Sequence, residues 1–470
     1  MHIPTGGRPG AQSCPRRLPT PFVFLAGLVG LGALALPGAG QAHPAGASTP
    51  SPADSLEALV TRALESHPEV EAARSAIEAA GARIPQAGAL PDPMVGAALR
   101  NLPPGSMSLS QEGMTMVAFR LDQRLPAPGV RAAREAVARA ELEVAEAELE
   151  VVRWDLATRL REAWFELLLV DQAEAVHHRT HAALEAFAEA AETAYAQGLA
   201  PQADILRAQT ELSAIHEHLA ELRQRRSAAL AALNLLLDRP TREPMTASVP
   251  GRLEALLERD PDPGFLAFSL AAPELGPGLP TLRELEMRAL ERRPEVALAA
   301  ARVRVAGQRT AVAVRERRPG IALSSEYAMR SGRSDFVSIG VSLDLPLFRE
   351  RKQDQAVREA EASHRATLEG TEALHRRIRG EVAEAHAGLV RSRERLLLLD
   401  EGVIPQARAA VEGAAVSYRS GEGSFWSLLQ SQTALFRYEI ELAHLTAEVG
   451  VGLARLERAV GAELDGETLR

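Results

Sequence analysis

Between Gly129 and Gly198 an apolar residue recurs every three or four positions. Leu142, Ala145, Leu149, Val152, Leu156, Leu160, Ala163, Leu167 and Val170 are spaced 3, 4, 3, 4, 4, 3, 4 and 3. That rhythm draws one stripe along a helix, the seam of a coiled coil. Neither Pro nor Gly interrupts the stretch. About 68 residues at 1.5 Å rise predict a rod on the order of 100 Å. A second rod is predicted from about Arg349 to Tyr418. Gly370, Gly380, Gly402, Pro405 and Gly413 fall inside it. Each weakens a helix or removes a hydrogen bond, so a bend is expected there. Two such rods do not fit one globular core, and a coiled-coil barrel or stalk is expected.

The segments ahead of the rods change period. In SDFVSIGVSLDL, Val337, Ile339, Val341 and Leu343 alternate with Ser338, Gly340, Ser342 and Asp344. GIALSSEYA alternates likewise, and MRSGRSD separates the two. The earlier counterparts are PMVGAALRN and MTMVAFRLDQ, where Val117, Phe119 and Leu121 alternate with Ala118, Arg120 and Asp122. These read as period-2 strands of about 9–11 residues. An apolar face opposite a small or charged one suits a transmembrane barrel strand, and equally a soluble hairpin with one buried face.

Three landmarks occur twice in the same order. ALESHPEVEAARSAIEAAGARI is echoed by ALERRPEVALAAARVRVAGQRT, and RLPAPG by DLPLFR. YAQGLAPQADILRAQTEL is echoed by YRSGEGSFWSLLQSQTAL. The chain is therefore a tandem duplication. Residues 43–238 form the first repeat, with a hairpin over about 93–123 and a turn over about 195–201. A Pro/Gly-rich joint spans 239–280. Residues 281–463 form the second repeat, with a hairpin over about 320–345 and a turn over about 418–424. A tail of 464–470 remains. In each copy a short helix ends before His67-Pro68 or Arg293-Pro294, and Pro opens the next helix.

Composition narrows the compartment. Arg8, Arg16 and Arg17 precede the apolar run FVFLAGLVGLGALAL, and small residues surround Ala42. This has the form of an export signal over 1–42, cleaved after Ala42. The run is too short for a stable membrane helix. The single cysteine, Cys14, lies in the signal, so the exported chain is expected to lack disulfides and thiolate chemistry. The net charge of −9 moves to about −12 without the signal arginines, which argues against nucleic-acid binding. Aromatic residues are only 4% of the chain, and Ala, Leu, Glu and Arg dominate, as suits long helices. No other segment suits a spanning helix, so membrane insertion requires a β-barrel. Four strands cannot close a barrel, whereas three chains would supply about twelve.

The ordered duplication, the export signal and the paired Tyr-x-x-Gly turns resemble TolC-type outer-membrane efflux proteins over residues 55–463. The resemblance implies a mainly α fold with a small transmembrane β portion. Duplicated coiled-coil hairpins would build a trimeric α-barrel, and four strands per chain would join a twelve-stranded β-barrel. It implies a passive exit duct in the outer membrane with a long periplasmic extension. The implied partners are two further copies of the chain, outer-membrane lipid, a periplasmic adaptor and an inner-membrane transporter, expected to be proton-driven. Gly198 and Leu199, with Gly421 and Glu422, would be the tips that meet the adaptor; the glycines serve equally as plain helix ends. Tyr195, Asp204, Arg207 and Tyr418 are the candidate periplasmic gate. Some members close the tip with an acidic pair and an arginine, but those positions here are Ser427, Gln430 and Gly423, so that gate is not expected. Asp204 or Glu422 would form a cation-selective ring in a symmetric trimer, or remain a solvated helix-end charge. A periplasmic coiled-coil adaptor or a structural protein of an envelope complex is the alternative, although an adaptor usually has one hairpin flanked by β domains.

Two clusters raise metal chemistry. Met94, Met107, Met114 and Met116 are four of eight methionines and offer thioethers to a soft ion such as Cu(I), or fill ordinary apolar positions. The LPDPM…EGMTM setting resembles the heavy-metal-efflux branch of the family. His177, His178 and His181 form HHxxH on a rod, where a solvated face competes with a metal pair. No phosphate loop, nucleophile elbow or dinucleotide fingerprint occurs, so neither an enzyme nor a cofactor is expected.

Overall fold

The computed structural model describes residues 55–257 and 280–464. The export signal, the centre of the joint and the tail beyond Leu464 lie outside them. In the first copy α1 (Leu56–Ser66) and α2 (Pro68–Gly88) precede β1 (Met94–Arg100) and β2 (Met116–Leu125). The long α3 (Val130–Ala196) and α4 (Gln202–Leu236) follow, then a short α5 (Gly251–Leu257). The second copy repeats the plan with α6 (Leu282–Arg292), α7 (Pro294–Arg315), β3 (Ile321–Met329) and β4 (Phe336–Leu343). It ends with α8 (Gln353–Leu397), a π-helical turn (Leu398–Val403), α9 (Ile404–Arg419) and α10 (Phe425–Val460).

Local chemistry sets the helix ends. The Ser55 hydroxyl accepts the Ala58 N–H at α1, and Thr281 with Glu284 forms a reciprocal capping box at α6. His67 and Arg293 are both extended, and the following proline occupies the first turn of α2 or α7.

α3 runs unbroken for 67 residues. None of the nine seam residues is exposed: burial is partial from Leu142 to Val152, and Leu156, Leu160, Leu167 and Val170 are fully buried. Around Trp164 the stripe widens to most of the circumference, with Phe165, Leu168 and Leu169 also buried. A two-helix seam does not anticipate this. Here α3 is packed against α1, α4 and α10, while the segment carrying Met245 and Ala247 joins the same core. The Trp164 indole N–H donates to the Ser248 carbonyl at 3.0 Å.

The second rod departs from expectation in one respect. α8 passes through Gly370 and Gly380 without a break. The interruption is confined to the π turn at 398–403, just ahead of Pro405. Proline has no N–H and crowds the carbonyl four residues back, and a widened turn accommodates both.

Ion pairs bind the two copies together. Arg302, Arg304 and Arg309 of α7 reach Glu148, Glu143 and Glu141 of α3 at 3.0, 2.5 and 2.8 Å. Being exposed, each contributes little, but together they fix the register of α7 along α3. Burial alone raises the Glu295 carboxyl, yet hydrogen bonds from Arg458 and Arg293 outweigh it and hold the pKa at about 2. Glu457 is more deeply buried, and desolvation lifts its pKa although Arg161 lies 3.5 Å away.

The four strands form one antiparallel sheet in the order β1-β2-β3-β4, so the two hairpins are joined at β2–β3. β1 and β4 are its edges.

Candidate functional site

Alternation along the strands becomes two chemically distinct faces. Val95 pairs with Leu121, and Phe119 with Tyr327, which in turn pairs with Val337. Gln123 pairs with Leu323 and Leu323 with Val341. Apart from Gln123 and Ser325 this face is apolar, and most of it is exposed in the protomer, with Ile339 at 83%. The opposite face carries Gly96, Arg100, Arg120, Asp122, Ser324, Glu326, Ser338 and Gly340. On it Arg100 meets Glu326 at 2.5 Å and Arg120 meets Asp122 at 2.7 Å. A sheet apolar on one side, charged on the other and open at both edges has the chemistry of a barrel wall between lipid and water. Among the described residues no helix is long and apolar enough to cross a membrane.

The far end of the molecule carries the two turns. Gly198 and Gly421 have φ of +72° and +79°, which L side chains rarely adopt. At the first turn the Leu199 N–H bonds the Ala194 carbonyl (2.8 Å) and the Gly198 N–H the Tyr195 carbonyl (2.9 Å). At the second, Glu422 N–H bonds Ser417 (3.0 Å) and Gly421 N–H bonds Tyr418 (3.1 Å). Both are Schellman closures, so the Tyr-x-x-Gly spacing is a backbone requirement in which the tyrosine supplies a carbonyl. Leu199 is 77% exposed, and Glu422 is exposed as well.

The tyrosine side chains differ. Tyr195 is exposed and stays outside the tip core. Tyr418 packs edge-on against Phe425, with centroids 5.5 Å apart, and burial followed by the Asp204 charge pushes its pKa up. Phe425 is buried with Leu184, Ala191, Ala208, Ile215, Leu219 and Leu429, so one small core joins both hairpin ends. Asp204 is not presented to solvent. It is buried and 3.4 Å from Arg207, whose guanidinium lies 5.5 Å from the Trp426 ring centre. The structure thus gathers Asp204, Arg207 and Tyr418 and leaves Tyr195 out. Trp426 joins them from the start of α10, a residue outside the candidate gate of Tyr195, Asp204, Arg207 and Tyr418.

The methionines do not form one site. Met94 pairs with Asp122 at one end of the β1–β2 ladder, and Met116 pairs with Arg100 at the other. Met116 is buried against Ala118 and Ala328, whereas Met107 and Met114 are exposed in the connecting loop. His177 is buried, donates Nδ1–H to the Ala173 carbonyl at 2.8 Å and stands edge-on to Phe436. Burial holds its pKa below the ordinary value.

The profile of the outer membrane efflux protein family matches residues 59–239 and again 285–462, one match per copy. The chain belongs to the outer membrane efflux protein family. It is accordingly an outer-membrane channel of a tripartite efflux pump, with a long periplasmic helical tunnel. Channels of this family are homotrimers that work with an adaptor and an inner-membrane pump. The chain is 24% identical over 413 residues to the cobalt-zinc-cadmium resistance protein CzcC of Cupriavidus metallidurans, covering 86% of this chain and 90% of the relative. The fold matches the outer membrane protein VceC of Vibrio cholerae with TM-score 0.68 and 18% identity, over 87% of this chain and 97% of that one. The open MtrE channel of Neisseria gonorrhoeae gives TM-score 0.67 and 17% identity, over 88% and 91%.

Proposed function

We propose that this family member discharges divalent heavy-metal cations, and that its passive duct is throttled where the two hairpin tips of each protomer meet. The observation that carries the cargo is the likeness to a cobalt-zinc-cadmium resistance protein along nearly the whole chain. Three copies would close the sheet edges β1 and β4 into a barrel of about twelve strands. The polar face, with its Arg100–Glu326 pair, would line the water-filled lumen. Gly198, Leu199, Gly421 and Glu422 would offer the adaptor two alternating kinds of tip.

Deleting the chain from its host should sensitise cells to cobalt, zinc or cadmium several-fold, with normal tolerance restored by the plasmid-borne protein. Growth inhibition across a metal series measures this. Unchanged metal tolerance together with lost tolerance to organic toxicants would overturn the cargo while leaving the channel assignment standing.

Throttling rests on the joint between α4 and α10. Arg207 against Trp426 is an exposed cation–π contact worth about 0.5–1 kcal/mol, enough to change an open population roughly fivefold. Trp426→Ala and Arg207→Ala should each raise basal single-channel conductance, and the double variant should add little more. Leu199→Ala, on the other turn and outside this contact, should leave conductance unchanged. Conductance equal to that of the unsubstituted protein in all four variants would remove the gate from this joint.

A further inference from the structure

Five imidazoles crowd one stretch of the α3–α4 hairpin: His177, His178 and His181 on α3, His216 and His218 on α4. Antiparallel packing sets His181 beside His216. Their Nε2 atoms are 3.1 Å apart, with ring centres 4.8 Å apart and planes inclined at 70°. The other nitrogen of His181, Nδ1, lies 3.4 Å from Oε2 of Glu185, one turn along the same helix. The His181 side chain is 22% exposed and His216 is exposed, so ions in solution reach the pair.

Two imidazole nitrogens facing each other admit two arrangements: a shared proton, or a shared cation. A metal bound to imidazole at about 2.0–2.1 Å in tetrahedral geometry separates its ligand nitrogens by about 3.3–3.4 Å. The observed gap is a few tenths of an ångström short of that, within the reach of side-chain rotation on an exposed surface. Glu185 favours the tautomer with hydrogen on Nδ1, which turns the Nε2 lone pair of His181 toward His216. A carboxylate behind a ligating histidine is the usual way of orienting it. Among the described residues no third His, Cys, Asp or Glu completes a cage. The remaining positions would belong to water, and the ion would be exchangeable.

We propose that His181 and His216 hold one borderline divalent cation, of the Zn²⁺, Ni²⁺ or Cu²⁺ type, through their Nε2 atoms, clipping α3 to α4 on the periplasmic rod. Imidazole suits all three ions, and Cu²⁺ should bind most tightly. The site stands on the two histidines and does not depend on metal being the exported cargo. His177 is excluded by its burial and its bond to Ala173; His178 is exposed and is directed to Glu174 of its own helix, 3.8 Å away.

The test uses the untagged full-length trimer in detergent, since a polyhistidine tag would mask the site. Equilibrium dialysis with Zn²⁺ should find one such site per chain, and Cu²⁺ should give an electron paramagnetic resonance spectrum with coupling from two imidazole nitrogens. His181→Ala and His216→Ala should each weaken binding about 100-fold and reduce the nitrogen coupling. Glu185→Gln should weaken it about 10-fold, the usual scale for a supporting partner, and His178→Ala should have no effect. If a variant fails to trimerise, His216→Gln keeps the side chain polar and removes the imidazole. Unchanged stoichiometry and coupling in His181→Ala and His216→Gln would overturn the site, as would equal loss in His178→Ala.

Discussion

Ile339→Arg should abolish the outer-membrane trimer, whereas Ser338→Arg, one residue earlier, should leave it intact. Ile339 is mid-strand in β4 and 83% exposed in the protomer, between Val337 and Val341 on the apolar face. In a barrel whose polar face lines the lumen, that face would meet lipid. An arginine on the lipid side of a barrel strand costs about 2–4 kcal/mol near the bilayer midplane. A trimer would carry the substitution in every protomer, so the cost recurs with each copy. Ser338 projects from the opposite face, paired with Glu326. There an arginine enters the water-filled lumen beside a carboxylate and meets no lipid. Envelope fractionation followed by gels of unheated extracts measures both. Equal trimer yield in the two variants would reverse or void the assignment of faces.

Gly461→Val should cost about 3–5 kcal/mol and sharply lower the yield of folded protein. Gly461 ends α10 with φ +70°, donating its N–H to the Glu457 carbonyl at 2.8 Å. A β-branched residue resists that conformation. Space is a second obstacle: a Cβ at Gly461 would sit 2.5 Å from Cα and 2.9 Å from N of Arg293. Those are backbone atoms of the joint between α6 and α7, so no side-chain rotation relieves the overlap. The comparison is Gly413→Ala. Gly413 lies within α9, exposed, with no atom within 4 Å of a new Cβ. Alanine there should be neutral or stabilise by about 0.5–1 kcal/mol. Thermal unfolding of the two variants in detergent, followed by circular dichroism, separates them. Similar midpoints would show that the α10 end is not wedged against Arg293.

The contrast between these glycines shows what was legible. Gly198 and Gly421 could be read from sequence because the turn is local: four residues and one positive φ close a helix. Gly461 could not, because the atoms that forbid a side chain come from Arg292 and Arg293, far back in the chain. The strand faces were legible for the same reason as the turns, since a period of two assigns each residue to a side whatever the partner strand. The seam of α3 was legible where its burial is one-sided and was incomplete around Trp164, where several elements converge.

The candidate site divides along the same line. Asp204 and Arg207 were candidate gate residues, with a solvated helix-end charge as the alternative for Asp204, and the structure pairs them one turn apart on α4. Nothing local announced that Phe425 would join the α3–α4 core beside them, or that Trp426 would lie 5.5 Å from the Arg207 guanidinium. His181 was visible within HHxxH, but His216 lies 35 residues further on and meets it only because α3 and α4 pack antiparallel in one register. The four methionines were close in sequence, yet the β1–β2 ladder holds Met94 and Met116 at opposite ends.

By itself, then, the sequence determined the duplication, the two-faced strands, the long helices and the glycine-closed turns, because each is written in the spacing of neighbouring residues. Only the tertiary structure decided which charges are buried at the tips, which histidines face each other and which helix end is wedged against the Arg-Pro joint. Those contacts depend on how helices distant in sequence cross and slide along one another, and backbone periodicity leaves that register open.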